Sequence, residues 1–315
     1  MYPKLLEIPL GGDNTITIGS YGFMIALGIL TASWIIGREL NRLQAEGRFG
    51  PIRIHSKPRA GKGSKAKGGK KGGTLVQPSE LVNTMTIIAA VVGIAGAKLF
   101  HILENLNEFM RGPTDMIFSP GGLTFYGGLI SAGVAIVWYA HAKGIHVPTL
   151  ADAFAPGLIL GYGIGRIGCH LAGDGTWGIA SNLAAKPGFL PTWLWAETYP
   201  NNILGVTIPD PGVYPTALYE SATAIALFGI LWSLRKHSFK PGWLFMVYLF
   251  VNGIERFAIE QIRINNKLSL FGLEVTQAQV ISAGLIVIGL VGSVWLAMGS
   301  GRKASRVSKP VAAAS

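Results

Sequence analysis

Seven apolar stretches constrain what this chain can become. They fall near residues 16–36, 81–102, 121–140, 150–169, 216–234, 242–262 and 277–298. Each is close to the ~20 residues with which a helix crosses ~30 Å of hydrocarbon. The runs lack the polar face that a helix on a soluble protein carries, which disfavours a large soluble α-protein. Half of the 315 residues are hydrophobic and only 14% are charged, and the mean hydropathy is +0.41. We therefore expect an all-α fold, a polytopic integral membrane bundle of about seven transmembrane helices.

The basic residues give the expected orientation. Residues 37–80 carry Arg38, Arg42, Arg48, Arg53, Lys57, Arg59, Lys62, Lys65, Lys67, Lys70 and Lys71, which places this connection on the cytoplasmic side. The next connection, 103–120, holds Glu104, Glu108 and Asp115 against a single Arg111. Continuing the alternation puts the N-terminus outside and the C-terminus inside. The expected organisation is an outer N-terminal segment over 1–15, a transmembrane domain over 16–298 and a basic inner tail over 299–315. Within the domain, 48–78 form a basic, disordered cytoplasmic loop and 171–215 a long outer loop. Met1–Asn14 has Lys4, Glu7 and Asp13 and no apolar core, so no cleavable signal peptide is expected.

Much of the net charge of +11 sits in the run RAGKGSKAKGGKKGG, residues 59–73. Such a segment cannot bury a core. It reads as a topological determinant or as an attraction to anionic membrane lipids. Nucleic acid is not an expected partner, because no aromatic residue or recognition motif interleaves the run. Cys169 is the only cysteine, which rules out an intrachain disulfide. The outer segment 179–213, with Pro187, Pro191, Trp193, Trp195, Tyr199, Pro200, Pro209 and Pro211, suits interface anchoring or a lid.

Function is concentrated in the charges that the spans retain: Lys98, Asp152, Arg166, Glu220, Glu255, Arg256, Glu260 and Arg263. A guanidinium at a bilayer centre costs roughly 2.5–3.5 kcal/mol on insertion scales, so retaining one implies a role. Arg166 and Glu220 flank the long outer loop and are expected to face each other. Arg256 and Glu260 stand four apart on one helix face and can pair, and Arg263 follows on the next turn. The stretch Gly161–Gly178, GYGIGRIGCHLAGDGTWG, adds His170 and Asp174 among many glycines, which read as room for backbone N–H groups to approach a ligand. Arginine holds phosphate through two bonds and stays charged in a dry site. A phospholipid headgroup is the anion at hand. No His/Cys/carboxylate cluster has metal-ligand spacing, and neither metal nor cofactor is expected.

Five blocks, in order, carry a family resemblance: SYGFMIALG around Tyr21, GGLTFYGGLI, GRIGCHLAGDGTWG, YPTALYES and ERFAIEQIR. Together they resemble the bacterial prolipoprotein diacylglyceryl transferases over most of the spans. The resemblance implies an enzyme of the bacterial cytoplasmic membrane that moves the diacylglyceryl group of phosphatidylglycerol to the lipobox cysteine of prolipoprotein signal peptides. A thioether forms and glycerol phosphate leaves, the first step of lipoprotein maturation. It places the family's functional glutamate on Glu220 and its last functional arginine, glutamate and arginine on Arg256, Glu260 and Arg263. Arg166 and Arg256 would stabilise headgroup and leaving group, with Glu220 and Glu260 orienting them. Tyr21, Gly127, Gly128, Gly178 and Arg263 would complete the substrate site.

This chain departs from the family pattern at several positions. Tyr126 replaces the third-helix histidine and is a poorer base near neutral pH. Cys169 and Ala172 replace asparagines of the signature, Asp174 its glutamate, and Gly175 is a one-residue insertion. Tyr214 replaces the histidine ahead of the PT block. The proton acceptor is then open between His170 and Asp174, with Tyr126 acting by hydrogen bonding. Two other classes stay open: a transporter of an anionic substrate, and a divergent lipid-binding pseudoenzyme.

Overall fold

The computed structural model describes residues 1–9, 15–49, 52–54, 74–76, 78–119, 122, 124–265, 267–270 and 273–299. Residues 55–73 and the tail from 300 on lie outside these, and with them most of the expected disordered loop and of the basic inner tail. The chain divides into two compact units. One comprises residues 1–32 and 154–315, the other residues 33–153.

Helices dominate both units. The long ones are α1 (Ser20–Ala45), α2 (Pro78–Glu104), α5 (Phe125–Ala142), α6 (Val147–Ala172), α7 (Thr216–Leu234), α8 (Trp243–Ile259) and α9 (Gln277–Met298). Two short helices, α3 (Leu106–Phe109) and α4 (Pro113–Phe118), follow α2. Five of the described helices are long and apolar enough to cross a membrane: α1, α2, α6, α7 and α9. The helices α5 and α8 are shorter, at 18 and 17 residues. Ile87, Val91 and Ile94 on α2, and Val287, Val291 and Trp295 on α9, are more than half exposed. Rows of exposed apolar side chains on such helices suit contact with lipid rather than water.

The fold is not purely helical. A hairpin of β1 (Lys4–Pro9) and β2 (Thr15–Gly19) takes up the expected N-terminal segment and the first residues of the apolar stretch 16–36, whose helix starts only at Ser20. Short antiparallel pairs join β3 (Ile52–Ile54) to β4 (Thr74–Val76) and β5 (Lys267–Leu270) to β6 (Leu273–Thr276).

In the larger unit, Ala155 and Ile159 of α6, Ala224 and Leu231 of α7 and Leu244 of α8 form a buried core, with Tyr162 and Tyr248 packed against it. Glycine permits the close helix contacts. A Cβ at Gly28 would stand 2.9 Å from the Gly161 carbonyl oxygen, one at Gly168 2.8 Å from Met24 Cβ, and one at Gly163 3.0 Å from Ala224 Cβ. Gly161, Gly163 and Gly168 of α6 are therefore helix-packing residues. Within a helix their N–H groups are taken by the carbonyls four residues back. The expectation that they offer backbone donors to a ligand is corrected on that ground. In the same unit α9 begins with a capping box, in which Thr276 Oγ1 accepts from Gln279 N and the Gln279 side chain returns to Thr276 N.

In the unit of residues 33–153, α5 packs on α2 through a seam of small residues. A Cβ at Gly128 would stand 3.1 Å from the Gly93 carbonyl oxygen, and one at Gly127 would meet Phe100. Such seams let helix backbones approach where lipid supplies no hydrophobic drive.

Candidate active site

The polar site grows from the ends of three helices in the larger unit. Arg166 lies six residues before the end of α6, about 9 Å along the axis at 1.5 Å per residue. Glu220 lies in the second turn of α7, and Arg256 in the last turn of α8. Arg263 falls beyond α8 and is positioned by backbone. Gly178 bridges Arg263 as an isolated β pair, and Ile179 N donates to the Ile262 carbonyl at 2.8 Å. The connection after α6 thus fastens the segment after α8.

Glu220 is the pivot of this arrangement. Its side chain is fully buried, and three arginines converge on its carboxylate. Arg166 Nε stands 2.6 Å from Oε2, Arg263 Nη1 3.1 Å from Oε1 and Arg256 Nη1 3.9 Å from Oε2. Tyr162, one turn before Arg166, donates its hydroxyl to Glu220 Oε2 and lies 3.2 Å from Arg166 Nε. Arg256 Nη2 pairs with Glu260 Oε2 at 2.8 Å, and Asn265 Nδ2 donates to Glu260 Oε1 at 2.6 Å. Both carboxylates have side-chain exposure of 0%, against 15%, 22% and 11% for Arg166, Arg256 and Arg263. The acids are fully enclosed, and the guanidinium groups keep a small exposure. These five side chains carry three formal positive charges and two negative ones.

The remaining signature residues gather near the C-terminal end of α6. Arg166 Nη1 lies 3.6 Å from Cys169 Sγ, and Tyr21 is within electrostatic reach of Cys169, Asp174 and Arg166. His170 Nδ1 is 3.2 Å from the Tyr199 hydroxyl, whose ring also packs on Trp177. Burial first, and Glu197 next, push the Tyr199 phenol up, so it keeps its proton and can serve His170 as a donor. Asp174 Oδ1 accepts from Thr176 N at 3.1 Å and from Thr176 Oγ1 at 2.7 Å, closing a turn after Gly173, whose φ of +63° ends the helix. Both expected proton acceptors therefore have partners of their own.

The structure brings together Tyr21, Arg166, Glu220, Arg256, Glu260 and Arg263. Gly178 supports them from behind: its N–H donates to the Tyr214 carbonyl, and a Cβ there would stand 2.6 Å from the Ile262 carbonyl oxygen. It is a fastening residue, and its N–H is not free for a ligand. Tyr126, Gly127 and Gly128 belong to the other unit, where the two glycines serve the α2–α5 seam. Sequence reasoning missed Tyr162 and Asn265. The i,i+4 spacing of Tyr162 and Arg166 carries a signal, whereas Asn265 carries none. Among the described residues, no group of three His, Cys, Asp or Glu side chains is arranged to hold a metal ion.

Apolar helices around a buried, arginine-rich polar cluster define a polytopic membrane protein with a polar site inside its bundle. A sequence model of the family described as prolipoprotein diacylglyceryl transferase matches residues 64–295, and the chain belongs to that family. It is similar to the phosphatidylglycerol–prolipoprotein diacylglyceryl transferase of Bacillus cytotoxicus, with 28% identity over 272 residues that cover 86% of this chain and 85% of the relative. The proteins of that name in Bacillus cereus and Bacillus anthracis are 27% identical over the same shares.

Proposed function

We propose that the protein is a transferase of the bacterial cytoplasmic membrane. It moves the diacylglyceryl group of phosphatidylglycerol to the lipobox cysteine thiol of prolipoproteins. The observation that carries this reading is the convergence of Arg166, Arg256 and Arg263 on one buried carboxylate, Glu220, with their forks partly open. Anchored from behind, a guanidinium loses little freedom on taking a phosphate, and its planar fork binds two oxygens at once. Three guanidinium groups that each keep some exposure suit a phosphodiester, which carries one negative charge.

The chemistry divides among the residues as follows. The thiolate is the nucleophile. It attacks the glyceryl carbon that bears the phosphate oxygen, the carbon–oxygen bond breaks, and the electron pair leaves on glycerol phosphate. Charge builds on that leaving group, so Arg166 and Arg256 act most strongly in the transition state. Glu220 and Glu260 hold the two guanidinium groups in place, with Arg263 as the third arm and Tyr162 as the brace between Arg166 and Glu220. Tyr21 contributes a hydroxyl at the outer end of α6, where His170 and Asp174 shape the entry with the segment 173–215.

The test uses purified protein in phosphatidylglycerol vesicles with a synthetic lipobox peptide, read by mass spectrometry. The expected products are a diacylglyceryl thioether and glycerol phosphate in equal amounts. A peptide that stays unmodified across lipid compositions contradicts the reading.

A further inference from the structure

Glu255 precedes Arg256 on α8 and is only 6% exposed, yet neither of its carboxylate oxygens has a hydrogen-bond partner. It is within electrostatic reach of Glu220, Arg256, Arg166 and Arg263, and of Tyr162 and Tyr248. Packed against α8, α9 brings no charged side chain, since Gln277–Met298 contains no Asp, Glu, Lys, Arg or His. The acid therefore faces the phosphate-binding arginines without touching them. Arg256 is adjacent in sequence but turns to Glu260 and Glu220. Buried carboxylates are normally paired, and one left without donors is an expensive feature for a bundle to keep.

Its neighbours are differently employed. Glu220 is bound by Arg166, Arg263 and Tyr162, and Glu260 by Arg256 and Asn265. Outside the cluster, His170 Nδ1 meets Tyr199 and Asp174 closes its own turn. A general base needs an acceptor lone pair that is not already spent. Of the three carboxylates beside the arginines, Glu255 alone has this on both oxygens.

Resting on the transferase reading above, we propose that Glu255 is the general base that takes the proton of the lipobox thiol. The S–H proton passes to a Glu255 oxygen as the sulfur–carbon bond forms. The carbon–oxygen bond to phosphate breaks, and the pair goes to the departing glycerol phosphate, which then accepts the proton from Glu255. The transfer couples two charge changes. Neutralising Glu255 removes one negative charge from beside the arginines at the moment the leaving group gains one. Catalytic hydrogen bonds of this kind often close only when the substrate is seated, so an enclosed acceptor is compatible with the role.

The experiment compares cysteine and selenocysteine lipobox peptides on the wild-type protein, Glu255→Gln and Glu255→Asp, in phosphatidylglycerol vesicles. A selenol is already ionised near neutral pH and needs no base. The expected result is that Glu255→Gln slows transfer to the thiol by about 10²-fold or more, leaves KM for phosphatidylglycerol within about twofold and transfers to the selenol at close to the wild-type rate. Glu255→Asp keeps a carboxylate and retains measurable transfer to the thiol. The proposal is overturned if Glu255→Gln keeps its rate on the thiol, or if both variants lose equally on both peptides, which marks a structural role. Wild-type protein that modifies neither peptide overturns the transferase reading itself, and the proposal with it.

Discussion

At the scale of the residue, Glu220 decides whether there is a site. Removing a buried partner leaves the remaining charges uncompensated, which costs about 3–5 kcal/mol. Glu220→Ala is therefore expected to lower the thermal unfolding midpoint and abolish transfer together, whereas Arg256→Lys lowers transfer with a smaller effect on stability. Lysine keeps the charge but cannot offer one face to Glu260 and another to phosphate, so a loss of about tenfold or more is expected. Tyr126→Phe should keep its rate within a few-fold, because a phenol is a poor acceptor near neutral pH. A large loss there would place the critical group on α5. Part of this site was legible in the sequence. The Arg256–Glu260 pair follows from a spacing of four, and the meeting of Arg166 with Glu220 from their places on either side of one long connection. The link from Arg263 to Glu220 was not legible, because Arg263 lies past the end of α8 and is set by a backbone bridge to Gly178. Asn265 escaped for the same reason. No local pattern announces a residue whose position is fixed from 85 positions away in the chain, the separation of Gly178 and Arg263.

At the scale of the element, the glycines of α6 changed meaning. Read along the chain, Gly161, Gly163 and Gly168 suggested space for a headgroup. In the structure they are where α1 and α7 come close. Sequence can show that bulk is missing but not which neighbour uses the space. The consequence is testable by unfolding in detergent. Gly28→Val places its Cβ against the Gly161 carbonyl and is expected to cost about 1–3 kcal/mol. Gly229→Ala on α7 meets nothing within 4 Å, so it should be neutral or stabilising by up to about 1 kcal/mol, because alanine is the better helix former. Equal effects of the two substitutions would contradict the packing account. Some helix boundaries were well marked, since 216–234 and 277–298 are also the limits of α7 and α9, whereas the stretch 16–36 stops nine residues short of the end of α1 at Ala45. Such boundaries are readable because apolar length is dictated by the membrane itself. The hairpin β1–β2 was not foreseen: Thr15, Ile16, Thr17 and Ile18 alternate with the period of a strand, but Ile16 and Ile18 read as the start of the apolar stretch 16–36.

At the scale of the whole molecule, the topology proposed from the positive-inside pattern puts the arginine cluster on the outer side, within reach of secreted precursors and of lipid from the bilayer. In a Cys169→Ala background, Phe189→Cys is expected to react with an impermeant thiol reagent in intact cells, and Lys65→Cys only after the membrane is opened. The reverse pattern would invert the proposed topology. Phe189 suits this use because it is 85% exposed. The central claim is that arginines anchored on Glu220 stabilise the phosphate of phosphatidylglycerol as a thiol displaces it. Its most direct measurement is the single-turnover rate of thioether formation by the wild-type protein and by Arg256→Gln in the same phosphatidylglycerol vesicles. The account predicts adduct from the wild type and a fall of about 10²–10³-fold in the variant, the usual loss of one preorganised electrostatic stabiliser. An undiminished rate in Arg256→Gln would contradict it.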